Sequence, residues 1–147
     1  MYKPKHFRLF EVLPQKIYDV VVKRYKDQYI WDCFRLPMLL TIDAIRSYIE
    51  EPIYINNWYH GGQLHNCGFR EFNYYKTKKY VLSQHCLWNA FDLHMSTSKI
   101  EELREEIREN PDNEKFIYIG GVEEDTTTWL HIDGRPRINN KIKFFKG

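Results

Sequence analysis

Two short stretches of this chain alternate apolar and polar side chains with a period of two. Each places a histidine and an aspartate two residues apart. In "NAFDLHM", residues 89–95, Phe91, Leu93 and Met95 share one face, and Ala90, Asp92 and His94 share the other. In "TWLHID", residues 128–133, Leu130 and Ile132 point one way while Trp129, His131 and Asp133 point the other. This alternation predicts two strands, each with one face on a core. If the two are neighbours, Asp92 and His131 aim at a common point.

His85 joins them from outside the first strand. On one continuous helix, His85 and Asp92 would lie about 10 Å apart along the axis, at 1.5 Å per residue. That is too far for both to reach one ion through bonds of about 2 Å. A loop at His85 that turns into a strand at Asp92 removes the difficulty. The spacing therefore predicts a metal centre of His85, Asp92 and His131. A His-Asp-His set with a fourth position open suits catalytic zinc, whereas closed structural sites are usually rich in cysteine. Asp133 and His94 are candidates to orient a ligand imidazole through its second nitrogen. Scattered surface or core histidines are the alternative, since the chain has six.

The rest of the chain reads as α+β, a single domain over residues 1–147. A helix is expected over residues 14–25, "PQKIYDVVVKRY", opening on a proline and placing Ile17, Val20 and Val21 on one face. A second runs through "LLTIDAIRSYIEE", with Ile42, Ile45 and Ile49 at helical spacing and Pro52 as its stop. "IYINNW" reads as a β-rich segment and "YHGGQLHNCG" as a loop. A third helix begins with a capping box of Ser98 and Glu101. It carries Ile100, Leu103 and Ile107, and ends at Asn110-Pro111. "KFIYIGGVEEDTTTWLHID" reads as a hairpin around a polar turn. The expected architecture is a small antiparallel sheet with helices packed on it and the metal site on the sheet.

Composition excludes several classes. A chain that is 43% hydrophobic and 16% aromatic is not disordered. Its net charge of +2 gives no reason to expect nucleic acid. No apolar run approaches the eighteen or so residues of a membrane span, so no membrane insertion is expected. Cys33, Cys67 and Cys86 show no CxxC spacing and read as reduced thiols. "MYKPKHFRLF" lacks the apolar core of a signal peptide, which predicts synthesis in the cytoplasm.

"SQHCLWNAFD", residues 83–92, resembles the Ser-x-His-x-x-Gly-x-Ala-x-Asp motif of the D-alanyl-D-alanine carboxypeptidase family of zinc peptidases, which includes many phage endolysins. "WLHID" resembles that family's second motif, in the branch with Trp-x-His-x-Asp. "LPQKIYDVV", "LLTIDAIRSYI", "IYINNWYHGG" and "GFR" follow in the order expected of phage-type members. The resemblance implies a D-Ala-D-Ala carboxypeptidase/Hedgehog-like fold and a monomeric enzyme, phage- or bacterium-encoded, that cleaves peptidoglycan peptides at the bacterial cell wall. Zn2+ would be held by His85, Asp92 and His131, with Ser83 supporting the site and Arg70 on the substrate.

Two departures stand out. The motif's glycine is Trp88, and Thr128 stands where many members carry an acid three residues before the last histidine. A proton acceptor must then come from elsewhere. By the resemblance, Glu124 in the "EEDTTT" turn is the first candidate, with Asp133 in reserve; strand alternation would turn Glu123 to the other face. Solvated turn acids are the alternative for Glu123, Glu124 and Asp125. Trp58, Tyr59 and His60 are candidates to line the cleft, although core packing is the plainer role for Trp58. The basic tail "GRPRINNKIKFFKG" reads as a charged edge strand. Two rival functions are a non-catalytic wall-binding or virion structural protein, and a metal-dependent nuclease using His85, Asn89 and His94.

Overall fold

The structure, a computed structural model, describes residues 2–74 and 83–147. Its helices among these residues are α1 (Leu9–Val12), α2 (Gln15–Val21), α3 (Asp27–Trp31), α4 (Leu36–Tyr48) and α5 (Thr97–Glu109). Its strands are β1 (Ala90–Leu93), β2 (Gly121–Glu123), β3 (Leu130–Asp133) and β4 (Lys143–Phe145). They form one sheet in the order β1-β3-β2-β4. The class is α+β in a single domain.

The alternation seen in the sequence organises the sheet. Phe91 and Leu93 of β1, Val122 of β2, and Leu130 and Ile132 of β3 are fully buried in one hydrophobic cluster. Met38, Leu39, Ile42 and Ile45 of α4 and Ile100, Leu103 and Ile107 of α5 share that cluster. The opposite face carries Asp92, His131 and Asp133. It is buried as well, so both β1 and β3 are buried along their whole length. A polar sheet face out of contact with water has to satisfy its groups internally.

The sheet is mixed rather than antiparallel. β1 and β2 both pair antiparallel with β3, but β4 runs parallel to β2. The reason is a reversal beyond β3 that the expected architecture did not include. Asn139 and Asn140 have φ of 52° and 60°, and Lys141 N–H donates to the Ile138 carbonyl at 3.0 Å. Two consecutive left-handed residues are the signature of a tight two-residue reversal, for which asparagine is well suited. The chain therefore returns against the direction of β3 and lies on the free edge of β2. The tail does supply an edge strand, as read from its charge.

Several local expectations shift. In α2, Ile17, Tyr18 and Val21 pack partly against the core, while Val20 is 46% exposed. At 100° per residue Val20 falls off the face that Ile17 and Val21 share. α4 begins earlier than expected and closes at Tyr48; Ile49 is buried in an extended backbone just beyond it. "IYINNW" is no strand: Tyr54 makes one isolated bridge with His94, and Trp58–His60 is a 3-10 turn. The α5 cap is Ser96 rather than Ser98, its hydroxyl accepting from Lys99 N–H. The carboxylate of Glu51, from a distant loop, accepts from Ser96 N–H and O–H at 2.7 and 3.0 Å. That replaces the acid a capping box would take from its own helix.

Candidate metal centre

β1 and β3 pair with Asp92 directly opposite His131. Directly opposed residues of an antiparallel pair present their side chains on one face. His85 reaches the same point from the turn that precedes β1. His131 Nδ1 lies 2.8 Å from Asp92 Oδ1, and His85 Nε2 lies 3.2 Å from both of those atoms. All three residues are buried, and they are the one group among the described residues with three metal-ligating side chains gathered in this way. A tetrahedral ion with bonds near 2 Å spaces its ligand atoms about 3.3 Å apart.

Hydrogen bonds on the outer side set which nitrogen faces inward. His85 Nδ1 donates to the Gly68 carbonyl at 2.6 Å, leaving the Nε2 lone pair inward. Gly68 can serve there because a Cβ would lie 2.3 Å from the Val12 carbonyl oxygen. His131 Nε2 donates to Asp133 Oδ2 at 3.2 Å, leaving Nδ1 inward. Two imidazole lone pairs and a carboxylate thus converge, which is a set of acceptors that could hold a cation. In the absence of a metal that cation is a proton on His131. Burial opposes its charge, but Asp133 and Asp92 outweigh burial and push its pKa up to about 9. Burial also opposes ionisation of Asp92, yet the two histidines hold its carboxyl well below the usual range. His85 is pushed down, chiefly by burial.

Arg70 reaches the far oxygen of the Asp92 carboxylate, donating from Nη2 to Oδ2, while its Nε donates to the Asn66 carbonyl at 2.6 Å. It therefore sits at the rim of the centre, also within 5.2 Å of the Tyr74 ring. The Ser83 hydroxyl accepts from His85 N–H at 3.3 Å and supports the turn. Asp133 is fully buried; despite burial, its bonds from His131 and Arg135 hold its carboxyl down at about 2.

The two turn acids exchange places relative to the expectation. β2 pairs Gly121 with Asp133 and Val122 with Ile132, so one step further Glu123 comes beside His131. Burial raises the Glu123 pKa, while the charges of His131 and Asp92 act on it in opposite senses and the Trp129 side chain hydrogen-bonds it. Glu124 instead pairs with Arg108 of α5 at 3.0 Å. The alternation rule was sound, but without the register its phase was unknown.

Other candidates lie apart. His94 Nε2 meets Cys67 Sγ at 3.3 Å, and the Thr128 main chain hydrogen-bonds its ring. Of the nuclease set, Asn89 donates to Gln84 at 2.7 Å and His94 stands outside the group that His85 forms with Asp92 and His131. Trp58 is buried and donates to the Leu13 carbonyl, while Tyr59 stacks on Phe10 at 4.3 Å with His60 beside it. Asp125 accepts from Gly147 N–H at the surface.

Trp88 explains itself through its backbone. Its φ is 59°, a conformation that glycine adopts freely and a bulky residue adopts at a cost. The side chain stacks on Phe69 at 3.9 Å and meets Phe34 edge-on at 4.8 Å, which offsets that strain. Trp88 thus holds a left-handed backbone conformation without being glycine. No family model, no curated protein and no solved structure matches the chain. No helix among the described residues is long and apolar enough to cross a membrane.

Proposed function

We propose that this protein is a zinc-dependent peptidase that hydrolyses peptide bonds in peptidoglycan, of the D-alanyl-D-alanine carboxypeptidase and endolysin type, acting as a monomer at the bacterial cell wall. The observation that carries the reading is the buried convergence of His85 Nε2, Asp92 Oδ1 and His131 Nδ1, three acceptors spaced as the ligands of one small ion. Two imidazoles and one carboxylate are a donor set that zinc favours. Bound zinc supplies Lewis-acid polarisation of a carbonyl and acidification of water.

The chain's own residues divide the remaining work. Glu123, on the face of His131, accepts the proton of the attacking water and returns it to the leaving amine. Its raised pKa suits that exchange. Arg70 holds Asp92 and places a positive charge at the rim, where a carbonyl oxygen or substrate carboxylate would be drawn. The resemblance of "SQHCLWNAFD" and "WLHID" to the peptidase motifs is what supports peptidoglycan as the substrate.

Elemental analysis of the purified protein, combined with digestion of purified peptidoglycan, tests the reading. The expected result is one zinc per chain, lost in a folded His131→Ala variant, with release of free amino groups or D-alanine and no new reducing ends. A wild-type chain that takes up no transition metal overturns it. Zinc binding with no release supports the wall-binding or virion structural reading instead.

A further inference from the structure

Behind His131 the structure carries a second layer that the peptide-cleaving reading does not use. Asp133 Oδ2 accepts from His131 Nε2 at 3.2 Å. The same carboxylate is held by Arg135 through four contacts. Arg135 N–H donates to Oδ1 at 3.0 Å, Nε lies 2.8 and 2.9 Å from Oδ1 and Oδ2, and Nη2 donates to Oδ2 at 2.5 Å. The guanidinium lies over the Phe145 ring, 4.3 Å from its centroid, and Phe145 in turn meets His131 edge-on at 5.7 Å.

This pair occupies a slot made for it. Gly121 stands opposite Asp133 in the β2–β3 register. A Cβ at Gly121 would lie 2.6 Å from Arg135 Nε and 2.7 and 2.9 Å from the two Asp133 oxygens. Only a residue without a side chain lets the carboxylate and guanidinium lie flat against β2.

We propose that Arg135 is a positioning residue for the metal centre: by clamping Asp133 it fixes the His131 ring with Nδ1 aimed at Asp92 and His85. A carboxylate that receives three nitrogens from one arginine has a defined plane and carries no proton of its own, so it can only accept from His131 Nε2. That leaves a single ring orientation and a single inward atom. Lysine offers one point charge on a flexible stem and cannot reproduce the two-pronged clamp. Partners that orient a metal-ligating histidine typically affect metal affinity by about 10–100-fold.

The inference rests on the metal reading proposed above, and its test separates the two. Zinc and cobalt affinities are measured by titration for the wild type, Arg135→Lys, Arg135→Met and Gly121→Ala, together with the visible absorption of the cobalt forms. The expected result is wild-type binding, a loss of about 10–100-fold in Arg135→Met, and partial recovery in Arg135→Lys. The cobalt spectrum of the variants is altered. Gly121→Ala removes no charged group and crowds the Asp133–Arg135 pair, so it reports the same loss if Arg135→Met fails to fold. Folded Arg135→Met or Gly121→Ala protein with wild-type affinity and an unchanged cobalt spectrum overturns the positioning role while leaving the metal site standing. A wild-type chain that binds neither ion removes both.

Discussion

Metal binding at this centre would have to displace a proton, and the raised pKa of His131 points to the one it holds. In the metal-free chain, His131 is held protonated up to a pKa of about 9, with burial opposing and Asp133 and Asp92 prevailing. Asp92 is held well below the usual carboxylate range and His85 is pushed down, so neither contributes a second proton near neutrality. Below pH 9, each unit of acidification should then weaken zinc binding about tenfold. Lowering the pH from 8 to 6 should cost about 100-fold in affinity, or about 2.7 kcal/mol. Calorimetric titration at pH 6 in two buffers of different ionisation enthalpy counts the protons, and about one per zinc is expected. The metal-free fold carries the complementary dependence. The folded His131 pKa lies above its ordinary value of about 6.5. Its stabilisation, of order 3 kcal/mol, is fully present below about pH 6.5 and is lost as the pH rises through about 9. Affinity that stays flat between pH 6 and 8, with no proton released, would refute the assignment of His131 as the proton holder.

Two further predictions concern the remaining site residues. Glu123→Gln should leave zinc affinity nearly unchanged and cut turnover by about two to four orders of magnitude, while Glu124→Gln, which only loses its Arg108 partner, should stay active; steady-state kinetics with zinc stoichiometry decide between them, and the reverse pattern restores Glu124. Trp88→Gly should destabilise the fold by about 1–3 kcal/mol in urea unfolding, because the lost packing on Phe69 and Phe34 exceeds the relieved strain of a positive φ; a stabilised variant would mean that the strain dominates.

What could be read from the sequence was whatever a period of two or 3.6 encodes within one segment. The inward and outward faces of β1 and β3 followed from alternation, while the pairing that sets Asp92 opposite His131 is a matter of register. The long helix Thr97–Glu109 followed from Ile100, Leu103 and Ile107 and from the stop at Pro111. What escaped depends on contacts between segments. Glu123 and Glu124 differ only in the phase of β2, which the register with β3 sets. Ser96 outranks Ser98 as a cap because Glu51, forty-five residues away, comes to meet it. The Gly120-Gly121 pair and the Asn139-Asn140 pair were the available signals for the Asp133 slot and for the reversal into β4.

The burial of both faces of β1 and β3 has a consequence for how this chain holds together. Cys33, Cys67 and Cys86 are all free thiols, so no covalent link among the described residues closes the polar layer. An ion among His85, Asp92 and His131 would close loops of 7 and 39 residues, stapling the turn before β1 to two strands. Such a staple is reversible, and its strength is set by supply. Every tenfold rise in free ion above the dissociation constant adds about 1.4 kcal/mol to the folded state. The half of the molecule built around the polar face would thus be firm where zinc is plentiful and soft where it is scarce, turning the ion content of the surroundings into a control on how long the folded chain survives.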